Sequence, residues 1–261
     1  MSLLDIENAA VSGDGVVVEP LSFVLNPGEP FTLLGETGSG KSLLAQAVIG
    51  TLPAGLAASG TLRIDGETHD LARRPAMALW GHRLGILPQE PWLALDPTMR
   101  AEQQVAEGYR YVRGIEKKPA LRAARDDLEA LGVGHAASRL PQALSGGMAQ
   151  RVAFAAARAG GAQIIVADEP TKGLDVARRD EVIALLMQEG RAGGGLLTIT
   201  HDIEQARQMG GEVAVMQPGK LIEGGRAEQV ANTPQPQNST QMLAAGASPR
   251  PGARHEPHAG R

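Results

Sequence analysis

Gly35-Glu36-Thr37-Gly38-Ser39-Gly40-Lys41-Ser42 sets glycines, a lysine and a hydroxyl in the spacing G-x-x-x-x-G-K-S. These residue types at this spacing suit a chain of phosphates. Backbone N–H groups of the loop cradle the anion, the lysine reaches the β- and γ-phosphates, and the serine hydroxyl ligates Mg²⁺. Phe31-Thr32-Leu33-Leu34 before the loop has strand character, and Leu43, Leu44, Ala47 and Val48 after it recur at helical spacing. A strand, a tight turn and a helix N-terminus aim N–H dipoles and partial positive charge at one point. Kinases, GTPases, motors and transport ATPases all use such a loop. By itself it implies binding of a nucleoside triphosphate and nothing finer.

A second constellation lies far along the chain. Ile164-Ile165-Val166-Ala167 reads as a buried strand ending in two adjacent carboxylates, Asp168 and Glu169. Beside a phosphate loop, the first carboxylate is expected in the Mg²⁺ shell and the second is expected to polarise an attacking water. A carboxylate base contributes typically ~10²–10⁴-fold to rate. Leu144-Ser145-Gly146-Gly147-Met148 then precedes an Ala-rich helical run from Val152 to Arg158. Ser145 and the two glycines thus predict a second anion-binding helix start.

On these residues the chain resembles the nucleotide-binding domain of an ABC ATPase, whose five-residue signature usually reads LSGGQ and here reads LSGGM. The resemblance covers about residues 1–245, with the motifs in the family's order. It implies that ATP and Mg²⁺ bind at Gly35 to Ser42, and that each ATP is completed by Ser145, Gly146 and Gly147 of a second subunit in a head-to-tail dimer. It implies that Gln89, after Ile86-Leu87-Pro88, touches Mg²⁺ and the attacking water and links the site to a membrane subunit. His201, after Leu196-Leu197-Thr198-Ile199-Thr200, matches the histidine that contacts the γ-phosphate. Asp175, in Gly173-Leu174-Asp175, matches the aspartate that crosses the dimer interface. The implied catalytic set is therefore Glu169, His201 and Gln89, and the implied metal set is Ser42, Gln89 and Asp168. The chain departs from the family in one respect. An aromatic residue that stacks on adenine is usual some twenty-odd positions before the loop, and Ser12 to Val18 contains none. Val16 or a neighbour is left to pack on the base, so weak discrimination between ATP and GTP is expected.

The whole chain agrees with this reading. Its 261 residues are ample to bury a core. A net charge of −4 and 3% aromatics offer neither a basic field nor stacking platforms, so no nucleic-acid partner is expected. With no cysteine there is no disulfide, zinc–thiolate site or cysteine-ligated iron–sulfur cluster. Met1 to Asp5 lack the pattern of a signal peptide, and no apolar run approaches ~18 residues. The expected location is the cytoplasmic face of the inner membrane, held peripherally.

The elements that must position the site follow from periodicity. Leu3, Ile6, Val16-Val17-Val18, Phe23 and Leu25 alternate as strands do, ahead of the turn Asn26-Pro27-Gly28. Leu62 and Ile64 alternate with Thr61, Arg63 and Asp65, and Asp65-Gly66 is a turn. These segments predict an antiparallel β layer beside an α/β phosphate-loop core. Helical spacing from about 90 to 160, broken at Gly114, Pro119, Gly132 and Pro141, predicts an inserted helical subdomain. Val213 to Met216 and Leu221 to Glu223 predict a late hairpin. The ATPase domain is expected over 1–232, and the Pro-, Gln- and Gly-rich stretch 233–261 as a largely disordered tail.

Pro91 to Arg100 resembles the N-P-T-M-R stretch typical of the peptide, nickel and opine importers in this family, and LSGGM is common there. Asn232-Thr233-Pro234 and Met242-Leu243 resemble that branch's closing region, with Pro236-Gln237-Asn238 in place of its usual core. The lack of cysteines leans towards nickel- or metallophore-type members. The implied partners are two membrane-spanning permease subunits, a second ATPase subunit and, indirectly, an extracytoplasmic solute-binding protein. An ATPase of a soluble assembly resembling carbon–phosphorus lyase is the alternative.

Overall fold

The computed structural model describes residues 2–73, 79–90 and 94–232. Two sheets organise them. The antiparallel sheet contains β1 (Leu4–Ser12), β2 (Val16–Leu25), β4 (Ala57–Ile64) and β5 (Glu67–Asp70) in the order β2-β1-β4-β5. The core sheet contains β3 (Phe31–Gly35), β6 (Leu84–Leu87), β7 (Ile164–Asp168), β8 (Gly195–Thr200), β9 (Glu212–Gln217) and β10 (Lys220–Arg226). Its order is β10-β9-β3-β8-β7-β6, parallel throughout except at β10. The expected antiparallel layer and α/β core are both present.

β7 and β8 are buried almost throughout because both faces of the core sheet are covered. Ile164 and Val166 face the antiparallel sheet, and meet Leu4, Ile6, Leu62 and, on helix α1 (Lys41–Ile49), Leu44 and Val48. Ile165 and Ala167 face the other way. They join Val105 on α2 (Ala101–Glu107), Leu128 on α3 (Lys117–Ala130), Phe154 on α4 (Gly146–Arg158) and Leu186 on α5 (Val176–Arg191). A smaller cluster holds Leu34 and Val213 under α6 (Ile203–Met209) and α7 (Ala227–Asn232). Each fully buried Leu or Ile is worth about 1.5–3 kcal/mol relative to exposure.

Three sequence expectations change in detail. The alternation in β1 shifts phase: Leu4 and Ile6 are buried, then Ala9 and Val11. Register shifts between Ile6 and Ala9, and Asn8 takes a left-handed φ of 53°. That is a β-bulge, and Asn tolerates the conformation. Pro119 does not break a helix. It lies in the first turn of α3, where its missing N–H has no intrahelical acceptor to lose. The late hairpin is longer than its apolar residues suggest, and β9 extends the core sheet by pairing parallel with β3. The segment from Thr233 onward, and Pro91 to Leu93 within the branch-specific stretch, lie outside the described residues.

Candidate functional site

The loop after β3 is shaped by close backbone contacts. A Cβ on Gly35 would lie 2.3 Å from the Met216 carbonyl oxygen on β9, so only glycine lets the chain leave the sheet there. Gly40 caps α1 with φ of 99°, and a Cβ on it would meet Val18 at 2.7 Å. Lys41, buried at the start of α1, donates to the carbonyl oxygens of Gly35 at 2.6 Å and Glu36 at 2.7 Å, and to Ser39 Oγ at 3.3 Å. The ammonium is held over the loop by the loop's own oxygens. Burial lowers its pKa, and the nearby Glu169 and Asp168 charges oppose that shift.

Ser42 Oγ donates to Asp168 Oδ1 at 3.4 Å, which joins residues 126 apart in sequence. Burial, then the adjacent Glu169 charge, raises the Asp168 pKa, while Ser42, Lys41 and Lys172 pull the other way. A hydroxyl and a carboxylate are hard oxygen donors, the kind of set that holds Mg²⁺ when phosphates and waters complete the shell. The residues present therefore fit a magnesium–nucleotide complex.

Glu169 follows β7 with φ of 45°, a left-handed conformation costly for a residue with a β-carbon. Its N–H still donates to Ile199 O at 2.8 Å, so the strained residue stays anchored to β8. Its side chain turns to the end of β8: Oε1 lies 2.8 Å from His201 Nδ1, and Oε2 lies 3.4 Å from Thr200 Oγ1. Strain of this kind costs of order 1–3 kcal/mol and clusters at functional positions.

These groups surround a cavity of about 210 Å³ lined by Thr37, Gly38, Lys41 and Ser42 of the loop, with Gln89, Glu169 and Lys172. Gln89 reaches it from the bend after β6. Ser39 is buried beneath the loop. Val17 and Leu43 also line the cavity, whereas Val16 is 72% exposed, so of the residues before the loop Val17 supplies an apolar side chain to the site. Lys172, Val17 and Gln150, whose buried amide donates to Pro170 O at 2.9 Å, were not singled out from the sequence. No motif flags Lys172 or Val17, which line the cavity through packing, and Gln150 lines the cleft between α4 and α5 while bonding to the residue after Glu169.

The remaining candidates lie elsewhere. Ser145 caps α4 and accepts from Met148 N at 3.4 Å. Gly146 lines an open groove with Leu95, Leu144 and Leu174, and Gly147 lines a small cleft between α4 and α5. Asp175 caps α5 by accepting from Arg178 N at 3.0 Å. The structure brings Gln89, Lys41, Ser42, Asp168, Glu169 and His201 together, and leaves the Ser145–Gly147 turn and Asp175 outside their cavity.

Residues 18–172 match the family model described as ABC transporter. The chain belongs to that family. The fold is the mixed α/β ABC ATPase fold, with its antiparallel sheet and helical elements. The ABC chain is 35% identical over 254 residues to the peptidoglycan transport ATP-binding protein YejF of Agrobacterium fabrum, covering 94% of this chain. It spans only 46% of that relative's length. It is 30% identical over 244 residues to the oligopeptide transport ATP-binding protein OppD of Bacillus subtilis, covering 89% of this chain and 68% of the relative. Among solved structures it resembles cbiO1 of Clostridium perfringens, part of the ABC transporter complex cbiONQ. The TM-score is 0.76 at 28% identity, covering 89% of this chain and 92% of that one. Among the described residues no helix is long and apolar enough to cross a membrane.

Proposed function

We propose that this ABC chain hydrolyses ATP to drive an importer, working at the cytoplasmic face of the membrane with two permease subunits and a second ATPase subunit. The observation that carries the reading is Glu169, bonded to His201 and set beside Thr200 at the wall of the phosphate-loop cavity. Lys41 and the loop N–H groups bind the phosphates, and Ser42, Asp168 and Gln89 hold the cation. Bound magnesium would neutralise charge on the β- and γ-phosphates. Glu169 takes a proton from the attacking water, and His201 orients Glu169 and meets the γ-phosphate. Little covalent work falls to the protein, so positioning and charge stabilisation supply most of the rate.

The pairing of two ATPases is supported by Gly146 and Gly147. A Cβ on either would have no heavy atom within 4 Å. Each glycine in a helix costs up to ~1 kcal/mol relative to alanine. Among the described residues no close approach to either glycine repays that cost, which suits a turn kept bare for another subunit's nucleotide. Binding energy enters because ATP favours the closed pair, as any ligand-driven shift requires. For the solute, the names of the relatives favour a peptide-class cargo delivered by a binding protein over nickel or opine-like solutes.

Glu169→Gln tests the reading. ATP binding is expected to persist while turnover falls by ~10²-fold or more. Purified with Mg–ATP in mild detergent, the tagged variant is expected to retain two multi-span membrane proteins. Near-normal turnover removes Glu169 from its role, and recovery of soluble enzymes alone replaces the importer with a soluble assembly.

A further inference from the structure

β7 and β8 stay in parallel register up to Asp168 opposite Ile199, and the Glu169 N–H to Ile199 O bond follows. Beyond that point one strand exit carries Glu169-Pro170-Thr171 and the other Thr200-His201. Besides Glu169 itself, whose carboxylate lies against His201 and Thr200, one further side chain spans them. Gln205, on α6 and fully buried, accepts from Thr171 Oγ1 at 2.7 Å and from Thr200 Oγ1 at 2.9 Å through the same oxygen, Oε1. The helix that carries it is fixed in turn. Asp202 caps α6 by accepting from Glu204 N and Gln205 N, and Arg179 on α5 pairs with the Asp202 carboxylate at 2.9 Å.

We propose that Gln205 is a positioning residue for hydrolysis: its carbonyl oxygen locks the Glu169 and His201 exits together and draws the Thr200 proton away from Glu169. A threonine hydroxyl has one proton to give. Two acceptors stand near Thr200 Oγ1, Gln205 Oε1 at 2.9 Å and Glu169 Oε2 at 3.4 Å. The nearer takes the proton, and Glu169 Oε2 keeps its lone pairs for water. The amide's other end explains why the oxygen faces the hydroxyls. Among the described residues Gln205 Nε2 meets the Met209 sulfur alone, at 3.8 Å, and the flipped amide would set a carbonyl oxygen against that sulfur instead. The two hydroxyl contacts are therefore what this buried amide contributes. The inference rests on the assignment of Glu169 as the hydrolytic base.

The test uses the full-length chain and steady-state ATP hydrolysis. Gln205→Met keeps length and apolar volume but removes the shared acceptor; Gln205→Glu keeps the acceptor. Thr171→Val removes one of the two donors with little change of shape, and it carries the test if the Gln205 variants do not fold. A misplacement of about 1 Å costs up to ~10²-fold, so Gln205→Met is expected to lower kcat by ~10-fold or more with KM for ATP within ~2-fold. Gln205→Glu is expected to recover most of that loss. Thr171→Val should fall in the same direction, and combining it with Gln205→Met should add nothing further, as coupled partners behave. Wild-type kcat in Gln205→Met overturns the proposal, as does a Gln205→Glu variant as slow as Gln205→Met, or loss of ATP affinity in step with kcat. Glu169→Gln is measured in parallel. If it is inactive while Gln205→Met is not, only the Gln205 proposal fails; if it remains active, the Glu169 assignment fails and takes this proposal with it.

Discussion

Val17 lies in the phosphate-loop cavity without a ring or a polar side-chain atom, and Val16 beside it faces solvent. An aliphatic side chain packs against any purine face and reads no edge of it, and it lacks the quadrupole of a ring. ATP and GTP are therefore expected to bind within about tenfold of each other, a gap of no more than ~1.4 kcal/mol. Competition binding measures this, and a preference for ATP of ~100-fold or more would mean that another residue stacks on the base. Residues were legible in the sequence where their chemistry is contiguous. The loop from Gly35 to Ser42 and the Asp168–Glu169 pair each announce themselves by spacing. Gln205 and Lys172 could not be read, because their partners are set by where α6 and the chain after β7 come to rest.

Elements were legible where periodicity was clean and illegible where backbone geometry interrupted it. The bulge at Asn8 shifts the phase of β1, and no residue type marks it beforehand. α2 passes into a π turn at Gly108–Val112, which helical spacing alone does not reveal. That turn carries a clamp onto α3. Tyr109 OH donates to Asp127 Oδ2 at 2.6 Å, and the Arg113 guanidinium lies 5.1 Å from the ring centre. Burial first, then the bond to Asp127, pushes the Tyr109 phenol up to about 12. A raised folded-state pKa favours the protonated phenol. Its stabilising contribution is fully present below the ordinary value of about 10 and is lost as pH rises towards the folded value. Tyr109→Phe is expected to lower stability by about 1–2 kcal/mol at neutral pH. Denaturant unfolding of the two proteins should show that deficit shrinking between pH ~10 and ~12. A deficit independent of pH would assign the loss to packing instead.

At the scale of the molecule, the α/β core and antiparallel layer were readable because each sheet face has its own apolar set, Ile164 and Val166 on one side and Ile165 and Ala167 on the other. The role proposed for the turn at Ser145, completing a nucleotide site on a second subunit, came from the motif and its family resemblance, because the turn lies outside the phosphate-loop cavity. Gly146→Ala separates the two demands on that turn. With open space around the new methyl, unfolding is expected to be unchanged or harder by up to ~1 kcal/mol. Turnover and ATP-dependent dimerisation are expected to fall, read by hydrolysis and by size-exclusion of the Glu169→Gln background with Mg–ATP. Full dimerisation of Gly146→Ala would detach the turn from the interface.

The left-handed backbone at Glu169 has a consequence for anyone selecting variants of this chain. Asparagine holds such a conformation more readily, and its neutral side chain also relieves the repulsion that Glu169 exerts on Asp168. Glu169→Asn is therefore expected to melt higher, by ~2–4 °C for each kcal/mol gained in a domain of this size. Calorimetry checks it, and an unchanged or lower melting temperature would mean that the contacts to His201 and Thr200 outweigh the strain. A library sorted only for heat resistance would then enrich chains that have lost the proposed base. Thermal selection on this fold needs a hydrolysis assay run beside it.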